Sequence, residues 1–253
     1  MLSQGTYEFL LLAEFSAAIV IFLVLFFITA PYGKHFKKEW KPTIKSSVAW
    51  VIMELPAFLI MPIIFFNNYK NQTIVSLVFL IIWLSHYSYR TFVYPWTTNN
   101  PHKPFPVLII LFGFMFNIMN GYINGYYLFE MNIVQNANWF ISPQFIIGFL
   151  IFLIGFIINK QSEQILKGLK RGHHNDYQIP SGKLFDYVSN PHYFGELLEW
   201  LGWAILCWSP AGMAFFVFSF ANLFPRAIAN HKWYLQHFND YPPKRKAIIP
   251  FII

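Results

Sequence analysis

The chain has 253 residues, 56% hydrophobic, 21% aromatic and only 11% charged, against roughly 25% charged residues in ordinary soluble domains. That balance excludes intrinsic disorder and an ordinary water-soluble globule. The formal charge of +7, from 18 Lys+Arg against 11 Asp+Glu, would suggest nucleic acid in a soluble protein. Here the apolar residues arrive in blocks about 20 residues long, the length of helix that crosses a bilayer core, and basic residues then act as topology signals rather than as a nucleic-acid surface.

Seven spans are predicted, near 8–30, 46–66, 73–95, 106–128, 140–159, 193–209 and 211–232. The first is too long for a signal-peptide core and no small-residue cleavage site follows it, so it is expected to be retained. It stops at the breaker run Pro31-Tyr32-Gly33. The second carries Glu54, Pro56 and Pro62 and is expected to be kinked. Pro95 and the run Thr97 to Pro101 end the third, and residues 132 to 138 link the fourth and fifth. The longest non-apolar stretch, Lys160 to Ser189, precedes the last two spans, which only Ser209-Pro210 separates. No repeat or linker interrupts this order, so the expectation is an all-α, polytopic membrane protein with one domain over residues 1–253. The single cysteine, Cys207, lies in an apolar block and offers neither a disulfide framework nor a cysteine metal site.

Basic and non-basic loops alternate. Lys34, Lys37, Lys38, Lys41 and Lys45 follow the first span, Lys103 the third, Lys160, Lys167, Lys170, Arg171 and Lys183 the fifth, and Lys244, Arg245 and Lys246 the last. Of 18 positive charges, Lys70 alone falls on the other side. The positive-inside rule then puts the N-terminus outside and the C-terminus in the cytosol, which requires an odd number of crossings.

Ionisable residues inside spans are costly and are functional candidates by default. Helical spacing sorts them into faces: His86, Tyr87, Arg90 and Tyr94 on the third span; Asn117, Asn120 and Asn124 on the fourth; Asn159 and Glu163 at the end of the fifth; His192, Glu196 and Glu199 on the sixth; Arg226, Asn230 and Tyr234 on the last. Singly, Asn and Tyr at such positions serve helix packing about as often as function. Most of the 30 Phe, 14 Tyr and 9 Trp belong to an interfacial belt, and Glu14 suits a structural role as well as any other. Together the faces imply a polar cavity open to the basic side, fit for a large charged cofactor or a transport pathway. Lys34, Arg90, Lys103, Lys170, Arg171 and Arg226 gather near its mouth as phosphate donors. Glycine-rich nucleotide fingerprints and H-E-x-x-H are absent, so neither a Rossmann or P-loop site nor a zinc-hydrolase site is supported, and no metal is expected.

The runs Glu54-Leu55-Pro56, His86-Tyr87 with Arg90 to Tyr94, Tyr177 to Pro180, Gly195-Glu196 with Glu199-Trp200, and Asp240-Tyr241-Pro242 through Pro250-Phe251 resemble the steroid 5α-reductase family, in order over almost the whole chain. The run Asn190-Pro191-His192-Tyr193 is shared more widely, with membrane methyltransferases and sterol reductases. The resemblance implies a seven-helix membrane enzyme that reduces the C4–C5 double bond of 3-oxo-Δ4-steroids with NADPH. It implies that Glu54 and Tyr87 hold the 3-ketone. It also implies that Tyr32, Lys34, Arg90, Tyr94, Asn99, Lys103, Asn159, Glu163, Lys170, Tyr177, His192, Glu196, Arg226, Asn230 and Tyr234 surround the cofactor. Glu163, Lys103, Lys170, His192 and Asn230 depart from the vertebrate pattern, mostly with charge retained.

An enone accepts hydride at its β carbon once donors stabilise the negative charge developing on its carbonyl oxygen. Tyr87 is a natural donor, and Glu54, in an apolar span, is expected to hold a proton and donate as well. Trp50, Phe114, Met115 and Phe215 are expected to wall the ring system. Two rivals remain at this stage: an S-adenosylmethionine-dependent methyltransferase, which leaves Glu54 and Tyr87 idle, and a lipid transporter, which requires access from both sides. The expected setting is a bacterial inner membrane or the endoplasmic reticulum, with the cofactor site facing the cytosol and no obligate protein partner.

Overall fold

The computed structural model describes residues 3–98, 101–131, 136–169 and 177–253. Helix α1 is Gln4–Phe27 and α2 is Ser46–Asn67. Helix α3, Ile74–Ser88, runs through a π turn at Tyr89–Val93 into the short α4, Tyr94–Thr97. Helices α5 (Val107–Gly125), α6 (Pro143–Leu169), α7 (Pro191–Cys207) and α8 (Pro210–His237) follow. Their starts obey local chemistry. The Ser3 and Ser209 side chains accept from the backbone at Thr6 and Gly212, Thr73 and Ser76 form a capping box, and prolines open α7 and α8.

The chain is a helical, polytopic membrane protein, but its spans differ in length from those expected. Among the described residues, six helices are long and apolar enough to cross a bilayer. Helix α7, at 17 residues, rises about 26 Å, short of the roughly 30 Å of a hydrocarbon core. In compensation α6 and α8, at 27 and 28 residues, rise about 40 Å. The helix of the fifth span outruns the apolar block that ends near residue 159. It continues through Glu163 and Lys167 to Leu169, because the backbone ladder persists where the composition turns polar.

A two-stranded antiparallel sheet joins β1 (Thr43–Lys45) to β2 (Pro104–Pro106), a feature absent from the all-α expectation. It ties the loop after the first span to the loop after the third, so the two lie at the same end. Val188 bridges Lys246 and Lys103 reaches Tyr177, bringing the remaining described basic segments to that end too.

The tightest packing is between α6 and α7. A Cβ on Gly155 would stand 2.5 Å from the Gly195 carbonyl oxygen, and one on Gly195 2.7 Å from that of Gly155. Gly148 and Gly202 repeat the contact two turns away, so small residues let the two backbones touch. The core beneath is aromatic: Trp83, Trp200, Trp203, Phe79 and Phe215 are buried together with Tyr87. Trp83 Nε1 donates to the Ala57 carbonyl at 2.8 Å, joining α3 to α2.

Candidate active site

A cavity of about 370 Å³ opens at the basic end. It draws Tyr32, Lys34 and His35 from the segment after α1, Trp50 from α2, Arg90 and Tyr94 from the π turn and α4, and Lys103 and Phe105 beside β2. Helix α6 adds Asn159, Glu163 and Lys167; Tyr177 and the α7 residues His192, Tyr193 and Glu196 follow; α8 closes the wall with Arg226, Asn230 and Tyr234. Every cofactor residue implied by the resemblance that the structure describes lines this one space. Asn99 and Lys170 lie outside the described residues.

The walls hold their charges in defined positions. Arg226 donates from Nη1 to Asn222 Oδ1 and from Nη2 to the Tyr193 hydroxyl, both at 2.8 Å, and lies over the Tyr32 ring. Burial pushes the Tyr32 phenol up to about 12, against the opposite pull of Arg226, so it stays neutral at physiological pH. Lys34 sits 4.0 Å above the Tyr234 ring. Glu163 accepts from the Tyr89 hydroxyl at 2.7 Å and faces Lys160 and Arg90 at 3.6 and 3.8 Å. Lys167 donates to Tyr89 and Thr97.

A second network sets one edge. Asn190 Nδ2 donates to the Ala227 and Ala247 carbonyls, which leaves its Oδ1 to accept from Asn230 Nδ2. Asn230 Oδ1 then accepts from His35 Nε2 at 3.0 Å. Burial lowers the His35 value below its usual 6.5, outweighing the opposite effect of its hydrogen bond to Asn230. Among the groups left open are His192 Nδ1 and the Thr98 hydroxyl, both buried without a partner, and the half-buried Glu196 carboxylate, with no hydrogen bond or ion pair among the described residues.

Comparison with known proteins decides the family. The profile of the 3-oxo-5-alpha-steroid 4-dehydrogenase family matches residues 103–253. The steroid 5-alpha-reductase DET2 of Solanum lycopersicum is 43% identical over 255 residues, covering 98% of both chains. The 3-oxo-5-alpha-steroid 4-dehydrogenase 1 of Bos taurus is 34% identical over 95% of this chain and 94% of its own. The Homo sapiens protein of the same name is 37% identical over 87% of this chain and 85% of its own. The chain belongs to this family.

In this member of the 3-oxo-5-alpha-steroid 4-dehydrogenase family, Glu54 and Tyr87 stand behind the cavity wall rather than in it. Arg90 is the link: it lines the cavity, lies over Trp50 and Tyr94, and donates from Nη2 to Glu54 Oε1 at 3.1 Å. Glu54 Oε2 faces Asn117 Nδ2 at 3.4 Å. Glu54 thus accepts from a cation supplied by the turn after α3, 36 residues away in the chain. Tyr87 lies on α3 between the Trp83–Ala57 and Arg90–Glu54 rungs. Its ring packs on Trp83 at 4.7 Å and Trp200 at 5.9 Å, and its hydroxyl makes no hydrogen bond among the described residues.

The expected substrate walls divide. Phe215 is buried, 4.2 Å from Trp200 and 5.8 Å from Trp83; Trp50 is half-buried beside Arg90; Phe114 is half-buried. Met115 is 61% exposed and points away from the interior; its neighbour Phe116 packs inward, 6.1 Å from Phe215. A single-residue step on a helix turns a side chain by 100°, and composition alone did not set that phase. Sequence reasoning also missed Lys167 and Tyr193 as cavity residues. Both had a signal: Lys167 is one turn beyond Glu163, and Tyr193 sits next to His192 in a quoted motif. It did not pair His86 with Glu199, whose Nδ1 and Oε2 meet at 2.6 Å with both side chains buried.

Proposed function

We propose that the protein reduces the C4–C5 double bond of 3-oxo-Δ4-steroids to the 5α product with NADPH. The observation that carries this reading is Arg90, which lines the basic cavity and donates to Glu54, three residues on from Tyr87 in the chain. It thus couples a site fit for a charged dinucleotide to one fit for a ketone.

The residues of the cavity suit that cofactor. Lys34, Lys103, Lys167 and Arg226 supply cationic donors for phosphates. The rings of Tyr32, Tyr94 and Tyr234 offer flat surfaces, and the open Glu196 carboxylate and His192 Nδ1 can take an amide or ribose hydroxyl. When bound, NADPH supplies the hydride that arrives at C5. Tyr87 gives a hydrogen bond to the 3-ketone oxygen and stabilises the charge that develops there. Glu54 orients Arg90 and stands with Tyr87 at the same oxygen. The buried tryptophans and Phe215 exclude water from the ring system, and a proton at C4 completes the reduction.

On this reading the whole of residues 1–253 acts as one reductase domain, since the cavity needs segments from Tyr32 to Tyr234. Its basic end faces the cytosol by the positive-inside rule, where NADPH is supplied, and the steroid enters from the bilayer.

The direct test is turnover. Purified protein with NADPH and testosterone is expected to consume cofactor and release the 5α-reduced ketone. NADPH is expected to raise the thermal midpoint of the detergent-solubilised protein and S-adenosylmethionine is not. Stabilisation by S-adenosylmethionine alone would instead assign the cavity to methyl transfer.

A further inference from the structure

His86 on α3 and Glu199 on α7 meet inside the bundle, behind the cavity wall. Nδ1 and Oε2 stand 2.6 Å apart, with side chains 3% and 0% exposed. Glu199 Oε1 has no partner, so this one bond holds the carboxyl. No other hydrogen bond among the described residues joins α3 to α7. Replacing a buried polar pair by apolar side chains of the same size is often neutral or stabilising. Stability alone therefore gives little reason for the pair, and ionisable groups at membrane depth are functional candidates.

Its level follows from the chain. Arg90, four residues beyond His86 toward the basic end, lines the cavity, and so does Glu196, three residues before Glu199. The pair therefore sits about one helical turn below the cavity on both helices. Its neighbours give it a use. The His86 ring packs 4.5 Å from Trp200 and 5.2 Å from Tyr87, T-shaped to both, and Trp200 lies 5.9 Å from Tyr87. The Tyr87 hydroxyl makes no hydrogen bond among the described residues, so ring contacts set where it points.

We propose that His86 and Glu199 form a positioning pair that aims the Tyr87 hydroxyl at the steroid ketone. The proposal rests on the reductase reading and on Tyr87 as its ketone donor. Glu199 fixes the His86 ring through Nδ1, and that ring braces Tyr87 together with Trp200. A displacement of about 1 Å at a reacting group can cost roughly 10²-fold in rate, so a contact one step removed from the chemistry is enough.

The test is a double-mutant cycle in kcat for testosterone and NADPH, with wild type, Glu199→Leu, Tyr87→Phe and the double variant. Glu199→Leu is expected to lower kcat about 10- to 100-fold, with steroid KM and NADPH affinity within about twofold of wild type. In the Tyr87→Phe background no hydroxyl remains to be aimed, and the same change is expected to cost less than about twofold. Glu199→Gln can meet Nδ1 with its oxygen or its amide and is expected to recover most of the rate.

An equal loss in both backgrounds, an unchanged kcat in Glu199→Leu, or a loss shared by KM and NADPH affinity overturns the proposal and leaves the reductase reading intact. A Glu199→Gln rate no better than that of Glu199→Leu overturns it too. Should Glu199→Leu not fold, His86→Asn decides, since Asn offers Glu199 a polar atom near the Nδ1 position but no ring to Tyr87. It is expected to show the same background-dependent loss, and wild-type turnover overturns the proposal. If Tyr87→Phe itself turns over like wild type, Tyr87 is not the donor and the pair loses its role. If testosterone is not reduced at all, the reductase reading fails and this proposal with it.

Discussion

The two ends of the polar machinery are built on opposite principles. At the basic end nearly every ionisable side chain already has a protein partner: Arg226 with Tyr193 and Asn222, Glu163 with Tyr89 and Lys160, Lys103 with Tyr177. Deeper in the bundle the polar groups are fewer, and several have none: the Glu14 carboxyl, Asn120 Nδ2, Glu199 Oε1 and the Thr91 hydroxyl are all buried without a hydrogen bond. Near water a charge can be held in place by neighbours before a ligand comes, and solvent limits the cost. In the apolar half an open polar atom is stabilised only by what binds it or by a proton. Pre-organisation therefore dominates at the basic end, and unmatched polar atoms mark the apolar half.

This contrast predicts separable effects, and the largest belongs to the deeper half. Tyr87→Phe removes the proposed ketone donor and is expected to lower kcat by about 10²–10³, with NADPH affinity within about twofold of wild type by fluorescence titration. A comparable loss of NADPH affinity would mean that the two ends are not separable. Next in size, Arg226→Met should weaken NADPH roughly 10- to 100-fold, as expected when a donor to a charged group is lost, with a smaller change in steroid KM. Parallel losses in both constants would place Arg226 in folding rather than in binding.

The smallest expected effect is in pH. His35, outside the membrane helices, is held neutral by burial, with its value lowered from 6.5. The unfolded chain then takes up the proton first as pH falls, so stability is full above about 6.5 and declines below it. Thermal midpoints measured from pH 7.5 to 5 should fall less steeply in His35→Gln than in wild type. Identical slopes would remove His35 from the account of the cavity edge.

Much of this was legible residue by residue. The spans were readable because a hydrocarbon core demands some 20 apolar residues in a row. The cavity lining was readable because Arg90 and Tyr94, or Arg226, Asn230 and Tyr234, repeat at the helical period. Less legible were the far ends of α6 and α8, where the helix outlasts its apolar composition. The phase that sends Met115 outward and Phe116 inward also escaped, since both are equally apolar. The β1–β2 pairing is too short and proline-rich to declare itself.

The amino-acid order by itself determined a charge-poor bundle of membrane helices, the loops that share one side, and the polar faces that point to a common space. Those properties follow from local rules: helical periodicity, transfer of side chains into lipid, and the placement of lysine and arginine at one surface. Only the tertiary structure decided who meets whom. It paired Glu54 with Arg90 rather than leaving it a lone acid, set Gly155 against Gly195, and left Glu14 and Asn120 open. Such outcomes depend on the level at which distant helices cross, and that is fixed by packing of the whole bundle, not by any segment of it.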